Sequence, residues 1–222
     1  GGGAAEEALR QLEREERDAK GSYFGHSREL ARASIENKLR YSTALRYPFY
    51  YYHSHLAAPD RSPTWAKIQV LQSYLADYDW LLWIDIDAFV MNMDVTLESI
   101  IEEAHRINPG ADLILTNDWN GLNNGVFLIR NCPWAHEFLQ EVWDSYVDLK
   151  MQLATFHEQE AMQTLLEQRR HGQHAVYVPL HVMNSFAPNI LPDKPIPPDF
   201  PRYSYEPGDF ILHTPGLHQG ET

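Results

Sequence analysis

Residues 80–84, Trp-Leu-Leu-Trp-Ile, run straight into Asp85-Ile-Asp87, and this stretch constrains the chain more than any other. Five large apolar residues in a row read as a buried strand, and carboxylates at the end of such a strand need a compensating partner. Side chains at i and i+2 share a face of an extended chain, so Asp85 and Asp87 can point at one spot. Two carboxylates held that close repel each other, and an oxygen-preferring dication between them removes the penalty. The bland alternative is a helix cap or a surface-turn pair. The apolar run before the pair favours the cation.

The rest of the chain supplies the frame for that strand. Residues 4–19 are rich in Ala, Glu, Leu and Arg and read as a solvated helix, so 1–20 is a helical or appended extension and 21–222 one domain. Helices are expected over 27–46 with Ser27 as N-cap, from Ser62 and Pro63 onward, near 96–107, over 133–149 and over 158–170. Strands are expected at 48–53, 80–86, 111–116, 125–130, 175–180 and 209–213, with a proline-rich loop at 188–201. Strands alternating with helices indicate an α/β sandwich around a mainly parallel sheet, with no repeat and no linker dividing it. Such sheets bind ligands beyond the carboxyl ends of their strands, where Asp85 and Asp87 fall.

Charge excludes one class of partner. The formal net charge of −13 argues against nucleic acid, which needs a basic face. The 222 residues are 44% apolar and 22% charged, the balance of a globular domain. The single cysteine, Cys132, rules out an internal disulfide framework. No apolar stretch approaches the roughly 18 residues of a membrane span and no signal peptide opens the sequence, so any anchor lies outside it.

A second polar cluster stands at 117–132, Asn-Asp-Trp-Asn-Gly-Leu-Asn-Asn-Gly-Val-Phe-Leu-Ile-Arg-Asn-Cys. Asp118, Asn120, Asn123 and Asn124 surround a turn to which Gly121 and Gly125 give backbone freedom. Short amide and carboxylate side chains of this kind match sugar hydroxyls. The alternative is a hydrated loop of turn formers.

A strand ending in Asp-x-Asp suits either a phosphatase, where the first aspartate is the nucleophile, or the metal site of a GT-A glycosyltransferase. Three stretches, "WIDIDAFVMN", "NDWNGLNNGVFLIRNC" and "FILHTPGLH", together resemble the retaining α-glycosyltransferase family of the yeast α-galactosyl and α-1,6-mannosyl transferases and plant xyloglucan xylosyltransferases (glycosyltransferase family 34-like). Order and spacing match over roughly residues 21–218, and "NKLRY" and "PTWAK" resemble its upstream segments. The resemblance implies a GT-A nucleotide-diphospho-sugar transferase fold, here without that fold's first strand. It implies Mn²⁺ held by Asp85, Asp87 and His213, with Asp85, Lys67, Asn123, Asn124, Gly125, Gly216 and His218 binding a nucleotide-sugar donor, UDP ahead of GDP. Glu158, Gln159 and Asp118 would stand at the transferred sugar as the catalytic group.

Three departures from the family pattern stand out. The apolar first strand is missing, His218 replaces a diphosphate-binding lysine, and Glu158 stands where aspartate is usual. The implied reaction moves galactose, xylose or mannose to a glycan or glycoprotein acceptor with retention, by front-face attack or, as the lesser option, through Glu158 as nucleophile. The implied setting is the Golgi lumen, as a type II membrane protein, alone or as a homo- or hetero-oligomer. Two other classes remain open: a metal-dependent phosphohydrolase and an inactive carbohydrate-binding relative.

Overall fold

The longest strand, β4 (Gly121–Arg130), has eight consecutive buried residues because it lies inside a sheet with layers on both faces. The computed structural model describes residues 28–52, 60–148, 157–190, 196 and 199–215; the expected helix at 4–19 lies outside these. In chain order the elements are α1 (Arg28–Leu45), α2 (Ala66–Tyr74, entered through the 3₁₀ turn Pro63–Trp65), β1 (Trp80–Ile84), β2 (Ala88–Val90), α3 (Leu97–Ile107), β3 (Leu113–Asp118) and β4. After β4 come α4 (Pro133–Asp148), α5 (His157–Leu166), α6 (Arg169–Gly172), β5 (Ala175–Tyr177), α7 (Leu180–Met183), β6 (Ser185–Phe186) and β7 (Ile211–His213).

The main sheet has the order β1-β4-β3-β5. β4 is antiparallel to both β1 and β3, while β3 and β5 are parallel. Three strands therefore run one way and β4 runs against them. The reason is local: only Trp119 and Asn120 separate β3 from β4, and so short a link can join only antiparallel strands.

Alternation along β4 sends Phe127 and Ile129 to one face, where they meet Trp65, Ile68, Phe138, Leu139 and Met162. Val126 and Leu128 go to the other, with Tyr41, Ile100, Ala104 and Phe210. Each such side chain contributes about 1.5–3 kcal/mol by leaving water. Among the described residues, β1 forms one edge of the sheet.

The structure corrects several sequence expectations. Residues 48–53 do not form a strand over their described part. Tyr50 instead packs its ring on Tyr74 and Tyr78 and meets the Tyr78 hydroxyl at 2.6 Å. The helix expected over 158–170 is split at Leu166, and the strand at 175–180 stops at Tyr177 because Pro179 starts α7. The polar stretch at 117–125 is a β-hairpin, not a loop.

The sequence pattern does not predict β2, yet this short strand is what brings His213 to the end of β1. It builds a second sheet, β2-β7-β6, and its antiparallel ladder sets Ala88 opposite His213. Behind this sheet, Asp209 accepts hydrogen bonds from Ser185 Oγ at 2.6 Å, from both terminal nitrogens of Arg202 at 2.8 Å, and from the Glu206 backbone N–H at 3.0 Å.

Burial opposes ionisation of Asp209, but these donors outweigh it and hold the carboxyl below its ordinary range. A depressed carboxylate contributes stability above its unfolded value, about 3.9, that is lost as pH falls below it. Asp209→Asn should therefore cost ~1–3 kcal/mol at pH 7 by urea denaturation, a range kept modest because Arg202 is a third exposed. The gap to wild type should shrink at pH 3. An equal gap at both pH values would show that the charge contributes nothing.

Candidate functional site

β1 delivers Asp85 to the sheet end, where its backbone N–H donates to Gly125 O at 2.7 Å. The chain then turns, with Ala88 N–H donating to Asp85 O at 3.2 Å, before β2 begins. Asp85 and Asp87 thus approach each other through a turn and not along an extended strand, a correction to the sequence reading. Across the ladder, Thr214 donates to Asp87 O from its backbone N–H at 3.0 Å and its hydroxyl at 2.8 Å.

His213 lies with Nε2 3.4 Å from Asp87 Oδ1. Asp85, Asp87 and His213 each offer a ligand atom, and these atoms all lie within 4.8 Å of one another. The imidazole is oriented from behind. Asn184 donates from Nδ2 to Thr116 Oγ1 at 2.8 Å and to Asn123 Oδ1 at 3.0 Å, which leaves its Oδ1 to accept from His213 Nδ1 at 2.8 Å. The Nε2 lone pair then faces the two carboxylates, the arrangement of a metal-ligating histidine.

Gly125 leaves room for that ring, since a Cβ there would stand 2.3 Å from His213 Cε1. Gly125→Ala should displace the imidazole and cost ~1–3 kcal/mol by thermal or urea unfolding. Mn²⁺ affinity measured by calorimetry should fall with it. Unchanged metal affinity would mean that His213 is not a ligand.

Asp85 carries the electrostatic load. Burial and then the neighbouring Asp87 charge push its pKa up, against Lys67, His213 and the Trp83 indole, which lower it. The side chain still keeps a third of its surface open, so a ligand can reach it. Trp83 Nε1 donates to Asp85 Oδ1 at 2.5 Å.

A second group adjoins the first through the same oxygen. Lys67 Nζ stands 3.3 Å from Asp85 Oδ1 and 3.4 Å from Glu158 Oε1. It donates to Asn124 O at 2.9 Å and Asn124 Oδ1 at 3.0 Å. Burial would deprotonate Lys67, but the Asp85 and Glu158 charges reverse the sign and raise its pKa. Asn124 in turn donates from Nδ2 to Glu158 Oε1 at 3.2 Å and from its backbone N–H to Gln159 Oε1 at 3.0 Å. Glu158 Oε2 is buried without a hydrogen-bond partner.

Successive residues of a strand face opposite sides, so the adjacent asparagines of β4 join different groups. Asn124 joins Lys67 and Glu158. Asn123 donates to Asp118 Oδ2 at 2.9 Å and accepts from Gly125 N–H at 2.9 Å. Asp118 also accepts from Asn120 N–H at 2.6 Å, so both its oxygens take protein donors and it stands behind His213. Gly216 and His218 lie outside the described residues.

Sequence reasoning missed Lys38 and Asn184. Lys38, buried on α1, donates to Asp85 O at 2.9 Å and to Ser34 Oγ. Burial lowers its pKa to about 7, and Asp87 and Asp85 limit the fall. Ser34, Asn37, Lys38 and Tyr41 are all buried on one face of α1, so helical spacing of polar residues was the available signal. Lys38, Lys67, Asp85, Asn124 and Glu158 line a cleft of about 1260 Å³ together with several tyrosines.

Comparison with known proteins places this geometry. The family model described as the galactosyl transferase GMA12/MNN10 family matches residues 16–111 and 108–221. An uncharacterized alpha-1,2-galactosyltransferase of Schizosaccharomyces pombe is 25% identical over 86% of the chain and 65% of its own length. Galactomannan galactosyltransferase 1 of Cyamopsis tetragonoloba is 34% identical over 50% of the chain and 26% of its own length. The chain thus spans less than two thirds of either relative. A crystal structure of a glycosyltransferase involved in glycosylating the major capsid of PBCV-1 superposes with a TM-score of 0.62 at 18% identity, covering 84% of the chain and 86% of that protein. The fold is that of the GT-A glycosyltransferases.

Proposed function

The chain belongs to the galactosyl transferase GMA12/MNN10 family, and from that membership we propose that it moves a hexose or pentose from a nucleotide-diphosphate sugar to a glycan acceptor with retention of the α configuration. Galactose, xylose and mannose are the candidate sugars, with UDP ahead of GDP as the nucleotide, and residues 21–222 form the catalytic domain. The observation that carries the reading is the junction at Asp85, which belongs to the Asp85–Asp87–His213 cluster and pairs with Lys67 of the Lys67–Asn124–Glu158 cluster, with Asp85, Asp87, Lys67, Asn124 and Glu158 all lining one cleft.

The first cluster fits a divalent cation in chemistry: two carboxylates, plus an imidazole whose Nδ1 is held by Asn184. Mn²⁺ is the proposed ion, and when bound it would supply Lewis-acid stabilisation of the departing diphosphate. The second cluster addresses the sugar. Glu158 pairs with Lys67 at 3.4 Å, and its Oε2, which takes no hydrogen bond, would stand where the transferred sugar develops positive charge. Asn124 and Gln159 fix the hairpin beside it. In a front-face route the acceptor proton passes to the leaving phosphate, so no protein base is needed.

A phosphohydrolase would need Asp85 free to attack. Its Oδ1 is engaged by Trp83 and Lys67, so only Oδ2 could attack. The proposed setting is the Golgi lumen, with an anchor outside these residues; none of the described helices is long and apolar enough to cross a membrane.

The test is incubation with UDP-galactose, UDP-xylose and GDP-mannose plus Mn²⁺ and oligosaccharide acceptors, following free nucleotide and the anomeric configuration of the product. Release of nucleotide with an α-linked product is expected. Release of inorganic phosphate without sugar transfer would support the phosphohydrolase, and no release with any donor would support an inactive relative.

A further inference from the structure

We propose that Trp119, at the tip of the β3–β4 hairpin, is the platform on which the acceptor sugar stacks; this rests on the glycosyltransferase reading. Trp119 is partly exposed while the rings behind it are fixed. It meets Phe186 at 5.0 Å and Tyr203 at 5.4 Å, both nearly perpendicular. Phe186 is fully buried and clamped by its backbone, donating to Tyr203 O at 2.7 Å and accepting from Tyr205 N–H at 2.8 Å. The same ring stands 5.6 Å from the ring of His213. Two ring-to-ring contacts, through the buried Phe186, therefore connect a partly exposed indole to the candidate metal ligand.

The turn that carries Trp119 is rigid. Asp118 Oδ1 accepts from Asn120 N–H at 2.6 Å, and Gly121 takes a left-handed φ of 111°. A Cβ on Gly121 would stand 2.9 Å from Gln163 Oε1, so glycine lets this amide lie against the turn. Gln163 is one helical turn beyond Gln159 on α5, which already contacts Asn124. An aromatic plane on a turn next to Asn120 suits a pyranose, whose C–H face packs on a ring while its hydroxyls seek polar groups. Trp119 does not line the cleft that holds Lys67, so an acceptor stacked on it would not compete for the donor's place.

The experiment compares wild type with Trp119→Leu, which keeps apolar bulk but not a flat ring, and Trp119→Phe, which keeps a ring. Steady-state transfer is measured with the donor that turns over, and calorimetry measures binding of mannobiose, galactobiose and cellobiose in the presence of UDP and Mn²⁺. Expected is a rise of about tenfold in acceptor KM or Kd for the leucine variant, with donor KM unmoved and the phenylalanine variant close to wild type. Acceptor KM unchanged in the leucine variant, or donor KM rising in step with it, would overturn the platform and leave the glycosyltransferase reading standing. Disaccharide binding lost in the leucine variant would sustain the platform even in a protein that turns over no donor. Neither binding nor turnover in wild type would overturn both. Should the leucine variant fail to fold, Trp119→His decides by the same readings.

Discussion

Asp87→Ala should lower nucleotide-sugar turnover on the order of 10²–10³-fold while leaving the fold intact. The separation of the two effects comes from how Asp87 is held. Its backbone carbonyl, not its carboxylate, ties the turn to Thr214, and an alanine keeps that carbonyl. Its carboxylate faces His213 Nε2 and the other members of the cluster. Thermal unfolding without added metal should therefore stay close to wild type, and the stabilisation that Mn²⁺ gives wild type should vanish in the variant. A variant with near-normal turnover would remove the carboxylate pair from the chemistry.

Lys67→Met should be the most destabilising single change at the site, at ~3–5 kcal/mol by urea denaturation at pH 7. Lys67 and Glu158 are both almost fully buried, and losing the ammonium leaves Glu158 facing Asp85 with no cation between them. The Asn124 carbonyl and side-chain oxygens lose their donor as well. The double variant Lys67→Met with Glu158→Gln removes one of the stranded charges and should recover a large part of the loss. If the single variant is as stable as wild type, Lys67 does not hold the two carboxylates together. Its raised pKa would then have no bearing on stability.

How much of the fold was visible in the sequence differs from element to element. The strand before Asp85 was legible because five large apolar residues in a row have few other homes. α3 was legible too, since the Thr96 side chain caps it by accepting from Ser99 N–H at 3.2 Å. β2 was not: Ala88, Phe89 and Val90 are too few to signal a strand, and their pairing with β7 depends on residues more than a hundred positions away.

The same limit applies to the site. Asp85, Asp87 and His213 were legible through motif and resemblance, and the structure brings them together. The separation of Asn123 from Asn124 was hidden because the strand was expected to begin only at 125, whereas β4 begins at Gly121 and its alternation sends neighbours to opposite faces. Asn184 was hidden too. An isolated asparagine after a short helix carries no mark of the imidazole it orients. Lys38 was the avoidable miss, since a lysine spaced with Ser34, Asn37 and Tyr41 on a packed helix face already announces a buried charge.

On the proposed reading, Asp85, Asp87 and His213 hold a divalent ion through which the cleft takes a nucleotide diphosphate. Calorimetric titration of UDP into the wild-type protein, first with Mn²⁺ and then with excess EDTA, tests it most directly. Binding with Mn²⁺, loss of binding with EDTA, and no binding by Asp87→Ala in either condition are expected. Binding of UDP with equal affinity in Mn²⁺ and in EDTA would contradict it.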